Sequence, residues 1–191
     1  MAIYTSIYLK RLSQNYSVNE STRLLRSNNI NYQFDIFLSH SYLDRDEVKG
    51  LYIELTILGY SVYVDWIIDP YLDRSNVNKS TAELIRNRLK SSKTLLLAIS
   101  TNAELSKWMP WELGFVDGKT NKCAIIPVSK NNYSLSNFQR YEYLLLYPFI
   151  KKHNNTLGEE KIWIVDQADI YILFEEWMYG RELYRRETKI L

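Results

Sequence analysis

The chain has 191 residues, 46% of them hydrophobic and 14% aromatic, which is enough for one domain with extensions and a sizeable core. Its 24 basic and 22 acidic residues leave a net charge of +2, and the signs are mixed along the chain, so no basic stripe implies a nucleic-acid partner. Cys123 is the single cysteine, which excludes an intrachain disulfide or a cysteine metal cluster and makes a reducing cytoplasm the expected compartment. No apolar run approaches the roughly 20 residues of a membrane span, and no secretory pattern opens the chain, so no membrane partner is expected.

Residues 3 to 12 place Ile3, Ile7 and Leu12 at loosely helical spacing, and Leu24 with Leu25 marks a second short helix before Asn28-Asn29. We read residues 1–30 as an N-terminal extension and 31–150 as the main domain. Residues 151–191 read as a C-terminal strand and helix packed on that domain. Tyr32 to His40 is a near-continuous apolar run, as in a strand buried on both faces. After the polar segment Ser41 to Asp46, Val48, Leu51, Tyr52, Leu55 and Leu58 predict an amphipathic helix ending at Gly59. Tyr60 to Trp66 predicts a second strand, and the polar stretch Asp69 to Asn78 a long loop at its carboxyl end.

Ser80-Thr81-Ala82-Glu83 matches a capping box, a role that accounts for Glu83. The helix it opens leads to a third buried strand, Lys93 to Ser100. Ser106 is then a good N-cap for a helix carrying Trp108, Pro110, Trp111 and Glu112 and stopping at Gly118. Cys123 to Val128 predicts a fourth strand, with Pro127 pointing to an end or an edge. Tyr143 to Ile150 predicts a fifth and Ile162 to Val165 an added strand, while Ile170, Leu173, Phe174 and Trp177 mark a final helix ending at Gly180. The alternation of helices with continuous apolar strands argues an α/β, flavodoxin-like three-layer domain around a central parallel sheet.

In such sheets ligands bind outside the carboxyl ends of the strands, which here are Ser39-His40, Asp65-Trp66 and Ser100-Thr101. Trp108 and Glu112, four residues apart, share a helix face and make a plausible pocket wall for a cationic aromatic ligand. From the residues alone a plainer reading is the one to expect. Glu112 would then be an acid favoured by the helix dipole, with both indoles in the core. His40 is either a hydrogen-bonding residue at a strand end or a ligand contact, and Asp65 either a loop cap or a rim contact. No Gly-rich phosphate fingerprint or Walker lysine is present, and two histidines with one cysteine make no typical zinc site.

Asp35-Ile36-Phe37-Leu38-Ser39-His40-Ser41, then Asp44-Arg45-Asp46, then Ser100-Thr101-Asn102, then Trp108 to Phe115 with Asp117-Gly118, stand in one order and spacing. Together they resemble a Toll/interleukin-1 receptor (TIR) domain over about residues 31 to 150, of the bacterial branch found in the Thoeris antiphage defence system. The resemblance implies an enzyme that cleaves the nicotinamide–ribose bond of NAD, with Glu112 as the essential residue. It further implies substrate contacts from Phe37, Ser39, His40, Asp65 and Trp108, with NAD as substrate, no other cofactor and no metal. The implied product is a cyclic ADP-ribose isomer, a diffusible nucleotide that activates a separate effector protein, with a phage component as trigger. The loop from Asp69 to Asn78 lacks the family's Arg-Asp and Pro-Gly pairs, so self-association stays open. The alternative from another class is a non-catalytic TIR scaffold acting by contact. A deoxyribosyltransferase-like enzyme shares the layered fold, but no residue set demands a deoxyribose.

Overall fold

The apolar runs of the sequence become the strands of a single sheet in the computed structural model, which describes residues 4–18, 29, 31–72, 78–130, 142–167 and 170–184. In chain order the elements are β1 (Tyr4–Thr5), α1 (Ser6–Asn15), β2 (Phe34–Ser39), α2 (Arg45–Ile57), β3 (Val62–Tyr63), α3 (Asp65–Ile68), α4 (Lys79–Lys90), β4 (Ser92–Ile99), α5 (Trp108–Thr120), β5 (Cys123–Ser129), β6 (Phe149–Asn154), β7 (Glu160–Gln167), β8 (Ile170–Leu173) and α6 (Phe174–Met178). The strand order is β3-β2-β4-β5-β6-β7-β8, with β1 also pairing with β5. Pairing is parallel from β3 through β6 and antiparallel for β6-β7-β8. The three-layer α/β expectation therefore holds, with an antiparallel pair appended to the parallel sheet.

The chain leaves β2 toward β3 in one direction and returns from β3 to β4 and on to β5 in the other. Right-handed crossovers then place α2 on one face and α4 and α5 on the opposite face, and the β2/β4 boundary is the point at which the winding reverses. Strands β2 and β4 carry Ile36, Phe37, Leu38, Leu95, Leu96 and Leu97 with essentially no exposure, because helices cover both of their faces. Segment 4–15 is woven into this body: Tyr4 and Thr5 pair with Val128 and Ser129, and Leu9 of α1 is wholly buried. Gly50 of α2 permits that approach, since a Cβ there would stand 2.2 Å from the Leu9 carbonyl oxygen.

Several local expectations shift. Helix α2 does end at Gly59, which adopts φ 95° and donates its N–H to Thr56 O at 3.0 Å. Helix α5 runs past Gly118 to Thr120 and stops at Asn121 in the left-handed region, because Asn also tolerates that conformation. Asn78, not Ser80, caps α4: its side chain accepts from Thr81 N at 2.9 Å, and Glu83 is exposed. Pro127 lies in a strand with neighbours on both sides, opposite Ile99. It is tolerated there because β5 pairs with β6 only at Ile125 and with β1 only from Val128 onward, so the proline sits where the partner changes. The fifth strand starts later than Tyr143, at Phe149, after a 3-10 turn over Glu142–Leu146. Ile170 to Leu173 is strand β8, leaving the last helix only Phe174 to Met178 before Gly180 at φ 97°. The helix expected at Leu24-Leu25 lies outside the described residues.

Candidate active site

Helix α5 starts at Trp108, and its N-cap is Lys107, which makes no side-chain cap bond; the expected cap Ser106 stands one residue earlier and accepts the Met109 N–H at 3.4 Å. Pro110 sits in the first turn, where a missing N–H costs least. Met109, Glu112, Leu113 and Val116 form the buried stripe of α5. A carboxylate thus occupies a position that helical spacing would assign to an apolar side chain, and Glu112 is 0% exposed. Ser39, the last residue of β2, donates its hydroxyl to Glu112 Oε2 at 2.6 Å and is itself 0% exposed. Ser39 is held in turn by the parallel ladder opposite Leu97 of β4. A hydrogen bond to a charged acceptor in so dry a place is among the stronger ones a protein makes.

Trp108 lies one turn before Glu112 and is half-buried. Its ring meets Trp111 edge-on at 5.5 Å, Trp111 meets Phe115 at 6.2 Å, and the Arg86 guanidinium stands 5.7 Å from the Trp111 ring centre. Trp111 therefore lies on the exposed side of α5, while Trp108 is half-buried and packs against the core, so the plainer reading of this helix fails for one of its two indoles.

His40 follows Ser39 and is buried. The Trp66 indole can only donate, so its 3.1 Å contact with His40 Nε2 uses that nitrogen's lone pair. The proton then resides on Nδ1, which donates to Leu38 O at 2.9 Å. Asp65 Oδ1 lies 3.4 Å from the same Nε2, and an ion pair there would need the proton that the indole bond excludes. The indole distance is the shorter, and the neutral imidazole is the form we assign. Asp65 opens α3 instead of ending a strand. Trp66 is capped on its face by the Arg45 guanidinium at 4.4 Å, and Arg45 Nη1 donates to Tyr42 Oη at 2.8 Å.

Phe37 is placed in the core, 0% exposed, with its ring 4.9 Å from Tyr63; two residues before Ser39 it shares that residue's face of the sheet but lies deeper, below the strand's carboxyl end. Ser39, His40 and Asp65 are gathered at that end, and Glu112 joins them through Ser39. A network that the sequence reading quoted only as motif letters completes the rim. Asp44, buried, accepts a short hydrogen bond from Ser100 Oγ and another from Asn102 Nδ2 at 2.7 Å, tying the loop after β2 to the loop after β4. An acid three residues beyond Ser41 and a Ser-Thr-Asn at a strand end were the available signal. Between these loops opens a cleft of about 580 Å³ lined by Lys10, Asp44, Glu47, Ser100, Asn102 and Lys130 among others. It sits at the winding reversal, where such sheets bind ligands, and Glu112 is not in its lining. Among the described residues no cluster is placed to hold a metal ion. The chemical capacity of the site is a fixed, dehydrated carboxylate beside an aromatic plane, suited to stabilising a cationic centre.

The family model described as TIR domain matches residues 36–156. A relative from Bacillus cereus (strain MSX-D12), provisionally named 3′ cyclic ADP-D-ribose synthase ThsB′, is 45% identical over 174 residues, covering 87% of this chain and 89% of its own. A second, from Cytobacillus dafuensis, provisionally named cyclic ADP-D-ribose synthase TIR2, is 32% identical over 104 residues, covering 52% of this chain and 27% of its own.

Proposed function

Since the chain belongs to the TIR-domain family, we propose that it cleaves the nicotinamide–ribose bond of NAD and closes the ADP-ribose unit into a cyclic isomer. By likeness to ThsB′ the 3′ isomer is the product we assign. The observation that carries this reading is Glu112: a carboxylate on the buried stripe of α5, hydrogen-bonded to the end of β2 and one turn from Trp108.

The chemistry asks for one carboxylate. The glycosidic C–N bond breaks with its electron pair going to the pyridinium nitrogen, so nicotinamide departs neutral and needs no general acid. Glu112 then faces a ribose with oxocarbenium character, which its negative charge stabilises more than it stabilises bound NAD. A hydroxyl of the same molecule attacks the anomeric carbon and releases its proton to solvent. A site as dry as the Ser39–Glu112 contact favours that closure over attack by water. Trp108 supplies an aromatic face for the nicotinamide or adenine ring, while His40 and Asp65 line the approach. Phe37 serves this site through packing beneath Ser39 on the same face of the sheet. NAD is the substrate and no further cofactor is invoked.

The complete burial of Glu112 implies that covering groups part before NAD reaches it, in keeping with an enzyme that waits for infection. The cyclic nucleotide then acts as a second messenger for a separate ThsA-like effector, with a phage component as trigger and self-association as one route to opening. A cytoplasmic setting goes with this reading. Among the described residues no helix is long and apolar enough to cross a membrane.

The test incubates NAD with lysate of cells expressing wild type or Glu112→Gln, with and without phage, and resolves products by chromatography and mass spectrometry. A wild-type-only species with the mass of cyclic ADP-ribose is expected. Retained synthesis by folded Glu112→Gln would end the assignment. Unchanged NAD in infected, defended cells would favour the scaffold.

A further inference from the structure

We propose that Ser39 is a positioning residue for Glu112 and not a substrate contact, a role that rests on the reading of Glu112 as the catalytic carboxylate. Ser39 and Glu112 lie equally buried under the same cover, but the Ser39 hydroxyl has given its only proton to Glu112 Oε2 at 2.6 Å. A hydroxyl so committed has no second proton for a ribose or phosphate oxygen.

The bond also has the mechanical properties of a positioning contact. It spans 73 residues of sequence and joins two rigid elements, the carboxyl end of a central strand and a thirteen-residue helix. Ser39 is fixed from behind by the β2/β4 ladder, so its oxygen is a stationary point against which the flexible Glu112 side chain is held. A catalytic group gains from having its rotamer locked by a partner on a rigid element. Ser39 therefore acts on the chemical step through Glu112, with no touch on NAD.

The role separates kinetically from substrate binding. Initial rates would be measured across an NAD series for wild type, Ser39→Ala, Ser39→Cys and Glu112→Gln, in lysate of infected cells where the purified protein is silent, with folding checked by thermal melting. Positioning predicts that Ser39→Ala lowers kcat roughly 10- to 100-fold, the usual scale for losing an orienting partner, with KM within about twofold. Ser39→Cys, near serine in volume but a weak donor, should show the same pattern and serves if the alanine variant does not fold. A raised KM at unchanged kcat would overturn the proposal in favour of a substrate contact, and wild-type kinetics in both variants would overturn it outright. Activity in folded Glu112→Gln would instead remove the reading on which it rests.

Discussion

Arg88 lies 1% exposed and forks onto Asp69, with Nε donating to Oδ2 and Nη2 to Oδ1, each at 2.9 Å. Tyr63 Oη adds a third bond to the same carboxylate at 3.0 Å, and Arg88 Nη1 reaches Asn29 O at 2.9 Å. The guanidinium thus ties the start of the loop after α3 to α4 and to the entrance of β2. Because both charges are withdrawn from water, removing one strands the other. We expect Arg88→Ala to cost about 3–5 kcal/mol, read as a lowered urea midpoint. Arg88→Lys, which keeps the charge but not the fork, should fall between the two.

The contact of α1 with α2 makes a sharper prediction about two glycines. A Cβ at Gly50 would stand 2.2 Å from Leu9 O and 2.7 Å from Leu9 C, a clash with backbone that no rotamer relieves. Gly50→Ala should therefore destabilise by roughly 1–3 kcal/mol, despite the better helix propensity of alanine. Gly114 on α5 meets nothing within 4 Å, so Gly114→Ala should stabilise by about 0.5–1 kcal/mol. Paired denaturation curves of the two variants provide the comparison.

At the start of α4, Asn78 Oδ1 accepts both the Thr81 N–H at 2.9 Å and the Ser80 hydroxyl at 2.6 Å. Asn78→Ala should cost roughly 0.5–2 kcal/mol. Glu83→Ala, at an exposed position, should stay within about 0.5 kcal/mol of wild type. The reverse order in thermal melts would restore the capping box that the sequence spells.

The Asp35 carboxylate carries a pH signature. Burial pushes its pKa up, but the Lys93 ammonium at 2.7 Å and donors from Ser61 N and Oγ outweigh it and hold it below the ordinary value of 3.8. A depressed folded pKa contributes stability that is full above the unfolded value and drains as pH falls through the folded one. The melting-temperature gap between wild type and Asp35→Asn should be steady from about pH 7 to pH 5 and narrow toward about pH 2. A gap that widens in acid would refute the sign.

The layer order and most strands were legible because burial on both faces leaves a continuous apolar run, as in Tyr32 to His40, and a covered helix leaves a three-and-four spacing, as in Val48 to Leu58. Both are local periodicities set by the backbone itself. Ile170 to Leu173 was misread because four apolar residues fit either period, and only the antiparallel partner β7 makes them a strand. Pro127 was misplaced for a similar reason. The rule against proline in a central strand assumes continuous ladders on both sides, and here they are interrupted.

In the candidate site, Trp108 and Glu112 were readable as a pair because four residues make one helical turn. That Glu112 points inward, that Ser39 meets it from 73 residues away, and that Phe37 turns into the core were not. Nor were the Asp44 bonds to Ser100 and Asn102 or the Trp66–His40 contact that sets the tautomer. Spacing along the chain specifies which side chains share a face of one element, since helix and strand geometry repeat at fixed intervals. Which element that face meets depends on crossover direction, ladder register and packing, and those are settled only when the whole sheet closes around its core.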